Sequence, residues 1–373
     1  DNMKIMKKLV YILCLVTISI GHIVDCQEIQ SNLINKSPIK SIRLKSGNIV
    51  DCININKQPA FDNPLLKNHK LQRKPSFETS LKTSPVKSIS AFEKVKCPKG
   101  YVPIPRNTQD KSLLNYHILD ANNPVTYNAG AYVQGNFSYG ASGTACVYNP
   151  KVSKAQISGS ALHVRGGLEN NISQILLGWH VYPDLYHDDK SHIFALWNSN
   201  NFKTGCYNTM CPGFIQTDNS LYLGQPIQNT SIYGTEIIME TLLSISQDVK
   251  TNNWWVTVQN KALGYFPTEI FSNLREATQV GWGGFVLSGA GEDIPFPPMG
   301  SGHFEELNLL HSSYITHIQY LNATRTNGCP MYKLVNTPKN LPTKCYDVEY
   351  YGERSEALGC FVLFGGPGGK CNS

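Results

Sequence analysis

Charge is scarce in this chain. Asp, Glu, Lys and Arg make up 16% of its 373 residues, against about 25% in an average soluble domain. The usual catalytic signatures are missing as well: there is no G-x-S-x-G, H-E-x-x-H, phosphate-binding loop or dinucleotide fingerprint. Serine hydrolases of the α/β type, zinc peptidases and nucleotide enzymes therefore lose their common handles. No apolar run approaches the ~20 residues needed to cross a bilayer. The longest, Leu9–Ile20, has twelve and follows Lys4, Lys7 and Lys8, which is the layout of a secretory signal peptide. The sequence predicts a signal peptide over residues 1–26, no membrane span, and a secreted protein of the extracellular space or cell wall.

What is present points to strands. The chain is 41% hydrophobic and 10% aromatic, with 30 Gly and 21 Pro as punctuation. Aromatic or β-branched runs at 174–182, 192–198, 211–217, 235–246, 254–259 and 279–287 are separated by Gly, Pro, Asn and Asp, the spacing of a sandwich or barrel. Helix is expected only after Thr108, around Leu113, Leu114 and Ile118, with a turn near Leu274. The pattern predicts an all-β protein, an antiparallel two-sheet sandwich behind a small leader. Charge divides the two parts. Residues 28–99 carry +9 and residues 100–373 carry −4, so a basic leader faces an acidic body on which it can dock. Between Pro75 and Val95 the leader reads as an exposed linker rich in Ser, Thr and Lys. Export makes nucleic acid an unsuitable partner for the basic leader.

Several clusters invite a chemical reading. His180, His187 and His192 lie near Asp184, Asp188 and Asp189, but their spacing fits no single strand face, so solvated loop residues are expected and no metal. Cys206 and Cys211 lack the second close pair that a zinc site needs. Ser301 precedes His303 in a Gly-flanked turn, and Glu292, Asp293, Glu305 and Glu306 surround it. A tight turn and a solvated acidic loop are the simpler readings. Sequons begin at Asn35, Asn136, Asn171, Asn229 and Asn322, expected glycosylation sites if exported. No cofactor is expected.

A set of distinctive motifs narrows the field. Gly178-Trp179-His180-Val181-Tyr182-Pro183, Gly205-Cys206-Tyr207-Asn208, Cys211-Pro212-Gly213-Phe214, Asn253-Trp254-Trp255, Gly264-Tyr265-Phe266-Pro267, Trp282-Gly283-Gly284 and Met299-Gly300-Ser301-Gly302-His303-Phe304 resemble the plant neprosin family in order and spacing. Asp51-Cys52, Gln58-Pro59-Ala60-Phe61-Asp62 and Cys97-Pro98 are similar to its activation peptide. The resemblance implies residues 27–115 as a removable pro-segment and linker, and 116–373 as the catalytic-like sandwich. It implies a glutamic endopeptidase that cuts beside proline in acid, using two glutamates across a groove. It also implies the pairs Cys52–Cys97 and Cys345–Cys371; the four-residue interval suggests Cys206–Cys211. Cys146, Cys329 and Cys360 stay unassigned.

The two family glutamate positions hold Leu176 and Phe285. Neither side chain can move a proton, and nearby Gln174 is an amide with no useful acid or base form. The expectation is a peptidase-like protein without peptidase activity. Two alternatives stand beside it: an active proline-directed endopeptidase using other carboxylates, and a lectin-like module gripping cell-wall polysaccharide through groove aromatics Trp179, Trp254 and Trp255. The corresponding partners are a proline-containing peptide, a polysaccharide, and the protein's own pro-segment.

Overall fold

The computed structural model describes residues 37–77, 88–106, 125–168, 170–288, 294–339 and 341–371. Three antiparallel arrangements organise them. The leader folds its own small sheet from β1 (Lys40–Arg43), β2 (Ile49–Asn54) and β4 (Tyr101–Pro105). A ten-stranded sheet runs β11 (Ile215–Gln216), β14 (Lys261–Phe266), β13 (Trp254–Val258), β12 (Met239–Gln247), β6 (Gly140–Cys146), β16 (Ser313–Leu321), β20 (Gly359–Gly365) and β19 (Asp347–Ser355). Two short strands join it: β3 (Ser88–Ile89) beside β12 and β17 (Asn327–Gly328) beside β16. A seven-stranded sheet runs β10 (Thr204–Tyr207), β9 (Ser191–Ser199), β8 (Ser173–Val181), β7 (Gln156–Gly166), β15 (Ala277–Ser288), β5 (Val125–Ser138) and β18 (Val335–Asn336). The two large sheets pack face to face as a β-sandwich.

Alternation along the strands decides what lies between the sheets. On β8, Ile175, Leu177 and Trp179 point into the common core, where they meet Leu243, Ile245 and Val256 of the other sheet. Indole nitrogens in that core bond across the sandwich rather than to water. Trp179 Nε1 donates to the Cys146 carbonyl at 2.8 Å and Trp282 Nε1 to that of Ser142 at 2.9 Å. Burying one such ring contributes about 4–6 kcal/mol, taken as an upper bound.

Local departures from the sequence reading have local causes. The run at 211–217 shrinks to β11 because the Cys206–Cys211 disulfide and Pro212 hold its first half in a turn. The supposed linker contains β3, paired in parallel with Met239 and Glu240 of β12, followed by a buried Ser90. The helix expected around Leu113, Leu114 and Ile118 and the boundary at Tyr116 lie outside the described residues, as do the signal segment and Asn35. Among the described residues no helix is long and apolar enough to cross a membrane.

Disulfides join Cys52 to Cys97, Cys206 to Cys211 and Cys345 to Cys371, and a fourth joins Cys329 to Cys360. Cys146 is a buried thiol.

Candidate functional site

Leu176 and Phe285 share one face of the seven-stranded sheet. Both are half-buried and pack on the same apolar cluster, built from Ile157, Ala161, Phe194, Leu287 and neighbouring tyrosines on the face that turns away from the sandwich core. The register explains the juxtaposition. Leu176 on β8 pairs with His163 on β7, and Phe285 on β15 pairs with Gly159 on that same strand. One strand therefore separates them, about 10 Å across the sheet, and their partners stand four residues apart along it, so the two positions face each other diagonally at about 16 Å.

Between them lies a floor of small residues. Gly178, Ala161, Gly283 and Gly130 form one row across four strands. Gly159 is required by the wall itself: a Cβ there would lie 2.9 Å from the Phe285 ring and 2.7 Å from His180 Cβ. Phe285 thus lies across β7, and its ring meets Phe194 edge-on at 5.8 Å. The result is a trough with small-residue flooring and apolar walls.

No Asp or Glu stands in any of the seven strands of this sheet. The ionisable groups that border the trough are imidazoles, phenols and the Arg165 guanidinium on the His163 face of β7. His180 is fully buried, stacked on Phe194 at 4.0 Å, with Nε2 bonded to Tyr186 Oη at 2.9 Å and Nδ1 without a partner. Burial first, and His192 second, hold its pKa well below the usual imidazole range. Burial raises the phenols of Tyr182, Tyr186 and Tyr207 above theirs. His163, half-buried beside Leu176, was missed by motif reading; burial and Arg165 push it down to about 4. It is a single imidazole with no acid partner on its face, so one half of a general acid–base pair at most.

Other sequence-based expectations are corrected. Trp179, Trp254 and Trp255 are not groove aromatics: all three are 0% exposed. Trp254 turns toward the seven-stranded sheet, donating to the Leu274 carbonyl, while Trp255 turns to the opposite face and donates to leader residue Gln72. His180 and His192 are buried strand residues, not solvated loop residues. His192 stacks on Tyr186 at 3.7 Å, bonding Gly224 O through Nδ1 and Asp188 through Nε2. His187 caps the single helical turn Pro183–Tyr186 with φ of +58°. Among the described residues no group of three or more His, Cys, Asp or Glu is placed to hold a metal ion.

Ser301 belongs to a turn between Gly300 and Gly302, and its hydroxyl donates to the His311 carbonyl while the His303 ring stacks on Tyr233. Glu306 pairs with His311, and Glu305 accepts from Tyr351; Glu292 and Asp293 lie outside the described residues. Asn136 stands on β5. Asn171, Asn229 and Asn322 are half-buried rather than freely exposed, each with its amide oxygen bonded: to Ser272, to the leader's Ala91 N–H, and to Thr324 and Thr326.

The described leader does not seat on the trough through its hydrogen bonds. Gln58, His69 and Gln72 reach β11, Tyr265 and the Asp248–Asn253 turn, and residues 88–97 follow the 219–229 loop and β12. Its small sheet abuts the flank near Tyr186, His192 and Met210, leaving a crevice there that Arg106 helps to line.

A two-sheet antiparallel sandwich with a paired-residue trough on one outer face and a leader that carries its own small sheet is the layout of a glutamic-peptidase-like zymogen. Residues 154–367 match the neprosin domain and residues 41–128 the neprosin activation peptide. The chain belongs to the neprosin family. Among solved structures it is similar to scytalido-glutamic peptidase with a peptide-based transition-state analogue, at 11% identity over 65% of this chain and 99% of that one, TM-score 0.35. It is similar also to SCP-B, an eqolisin-family peptidase in complex with a tripeptide, at 10% identity over 65% and 99%, TM-score 0.34.

Proposed function

We propose that this is an exported, glutamic-peptidase-like protein that has lost acid–base catalysis, its trough holding proline-containing apolar segments without cutting them. The observation that carries this reading is the pair Leu176 and Phe285 on one face of a sheet whose seven strands contain no carboxylate. Each general acid or base contributes roughly 10²–10⁴-fold to such a reaction. Losing both removes useful turnover, while apolar walls suit the ring of a proline or another apolar side chain. Four disulfides support an oxidising compartment. The polysaccharide reading loses its support, because the three indoles it needed are buried.

The test is incubation of pure protein with a fluorogenic proline-containing peptide between pH 3 and 5, beside anisotropy with the same peptide. Binding without hydrolysis is expected. Hydrolysis insensitive to serine, cysteine and metal inhibitors would overturn the reading.

A further inference from the structure

The leader meets the body through a contact made like a protein interior. Its Ala60 and Leu66, 4% and 2% exposed, belong to the same apolar cluster as Trp254, Trp255, Tyr265 and Phe266 of the body. Leu44, Val50 and Val95 close on Tyr222 to form a second shared cluster.

The polar ties are equally interior in character. Gln58 and Gln216, both almost fully buried, exchange bonds: the Gln216 N–H donates to Gln58 Oε1 at 2.7 Å, and Gln58 Nε2 donates to the Gln216 carbonyl at 3.0 Å. Gln72 Oε1 accepts from Thr251 Oγ1, Asn253 Nδ2 and Trp255 Nε1 at 2.8, 2.9 and 3.1 Å, while its Nε2 donates to Asp248 at 2.8 Å. Tyr265 Oη takes the Gln72 N–H and meets His69 Nε2. Further along, β3 extends the ten-stranded sheet, and Cys97 and Asn219 bond each other in both directions. Of these ties only His69 with Glu269 can carry charge on both sides.

We propose that the leader is a resident subunit rather than a removable pro-segment: it covers the β11–β14–β13–β12 part of the ten-stranded sheet, and a chain cut between Arg106 and Val125 stays a two-chain particle. Among the described residues nothing covalent would hold such a particle: Cys52–Cys97 lies within the leader and the other three disulfides lie within the body. The contacts that hold it are apolar burial and hydrogen bonds, most of them between neutral groups and the charged ones made to the buried Asp248, which salt screens little. The +9 and −4 of the two parts assist encounter more than retention. Proteolysis of the connecting stretch would then leave the sheet's outer face covered.

The experiment uses the full chain with a sequence-specific protease site, flanked by Gly and Ser, placed between Arg106 and Val125. After complete cutting, confirmed on a denaturing gel, the protein is run by size exclusion at pH 7 in low salt and in 1 M NaCl, and at pH 4. Both pieces are expected to co-elute in all three buffers. A leader that elutes apart in any of them, without denaturant, would overturn the proposal. Two variants separate the causes. Gln72→Ala should speed leader loss from the cut particle on dilution at least tenfold, while Glu269→Gln should change it less than threefold. The reverse order would show an electrostatic clasp and sink the idea even if the wild type co-elutes.

Discussion

Replacing Gln72 with alanine tests the leader contact in the uncut chain, and the structure gives its size. Three of the groups it serves are buried, the Trp255 indole, the Asn253 amide and the Asp248 carboxylate. An indole or amide N–H left unpaired costs about 1–3 kcal/mol. Asp248 keeps bonds from the backbone N–H of Ser76, Lys250 and Thr251 and loses one of four, worth about 1.5 kcal/mol for a charged acceptor. Thr251 is exposed and finds water instead. Together these give about 4 kcal/mol, or a fall in Tm of about 5 °C for a protein of this size. Gln72→Glu supplies the control. Its carboxylate keeps an acceptor for the indole but sets a second negative charge against Asp248, so it should resemble the alanine variant at pH 7 and recover part of the loss at pH 4, where the pair holds a proton. Thermal unfolding at a fixed scan rate reads both. An alanine variant within about 1 °C of wild type, or a Gln72→Glu variant whose deficit is the same at both pH values, would refute the role assigned to this side chain.

The trough makes a second prediction. Leu176→Glu combined with Phe285→Glu should give measurable cleavage beside proline near pH 4 that neither single change gives, since one acid cannot serve as both base and carbonyl partner; a folded but inert double variant would show that more than the acids is missing. The single Phe285→Glu variant should be less stable at pH 7 than at pH 4, because the Phe194 and His180 rings beside it disfavour an ionised carboxylate. A third prediction concerns Asp347, which burial, and then Glu305 beside it, push up to about 6. A carboxyl raised in the folded state stabilises relative to its ionised form below its unfolded value, and that advantage is lost as pH climbs through about 6. After allowing for its half exposure the loss is about 1–2 kcal/mol. Asp347→Asn should therefore be more stable than wild type at pH 7 and equal to it near pH 4 by chemical denaturation; an equal difference at both values would rule the linkage out.

What could be read from the sequence follows from the reach of each signal. The run 174–182 lies within one residue of β8 at each end, and its alternation carries Leu176 to the face opposite Ile175, Leu177 and Trp179. Motif order then brings Phe285 to the same face, so both walls of the trough were legible. Its floor was not. The strand β7 is rich in Ser and Gly and has weak β-propensity of its own; it is a strand because β8 and β15 pair with it on both sides, and its Gly159 is needed only because Phe285 lies over it.

The aromatic misreading has the same origin at longer range. Trp254 and Trp255 are adjacent in a strand, so they must point to opposite faces, and parity alone assigns one of them to the exterior. Trp255 is nevertheless buried, because Gln72, far away in sequence, covers that exterior and accepts its indole proton. A ring that strand periodicity offers to a ligand is thus already occupied by the chain's own leader. Among the described residues the leader makes no hydrogen bond to the Leu176–Phe285 trough on the opposite sheet, and it is there that a partner's contact would have to be sought.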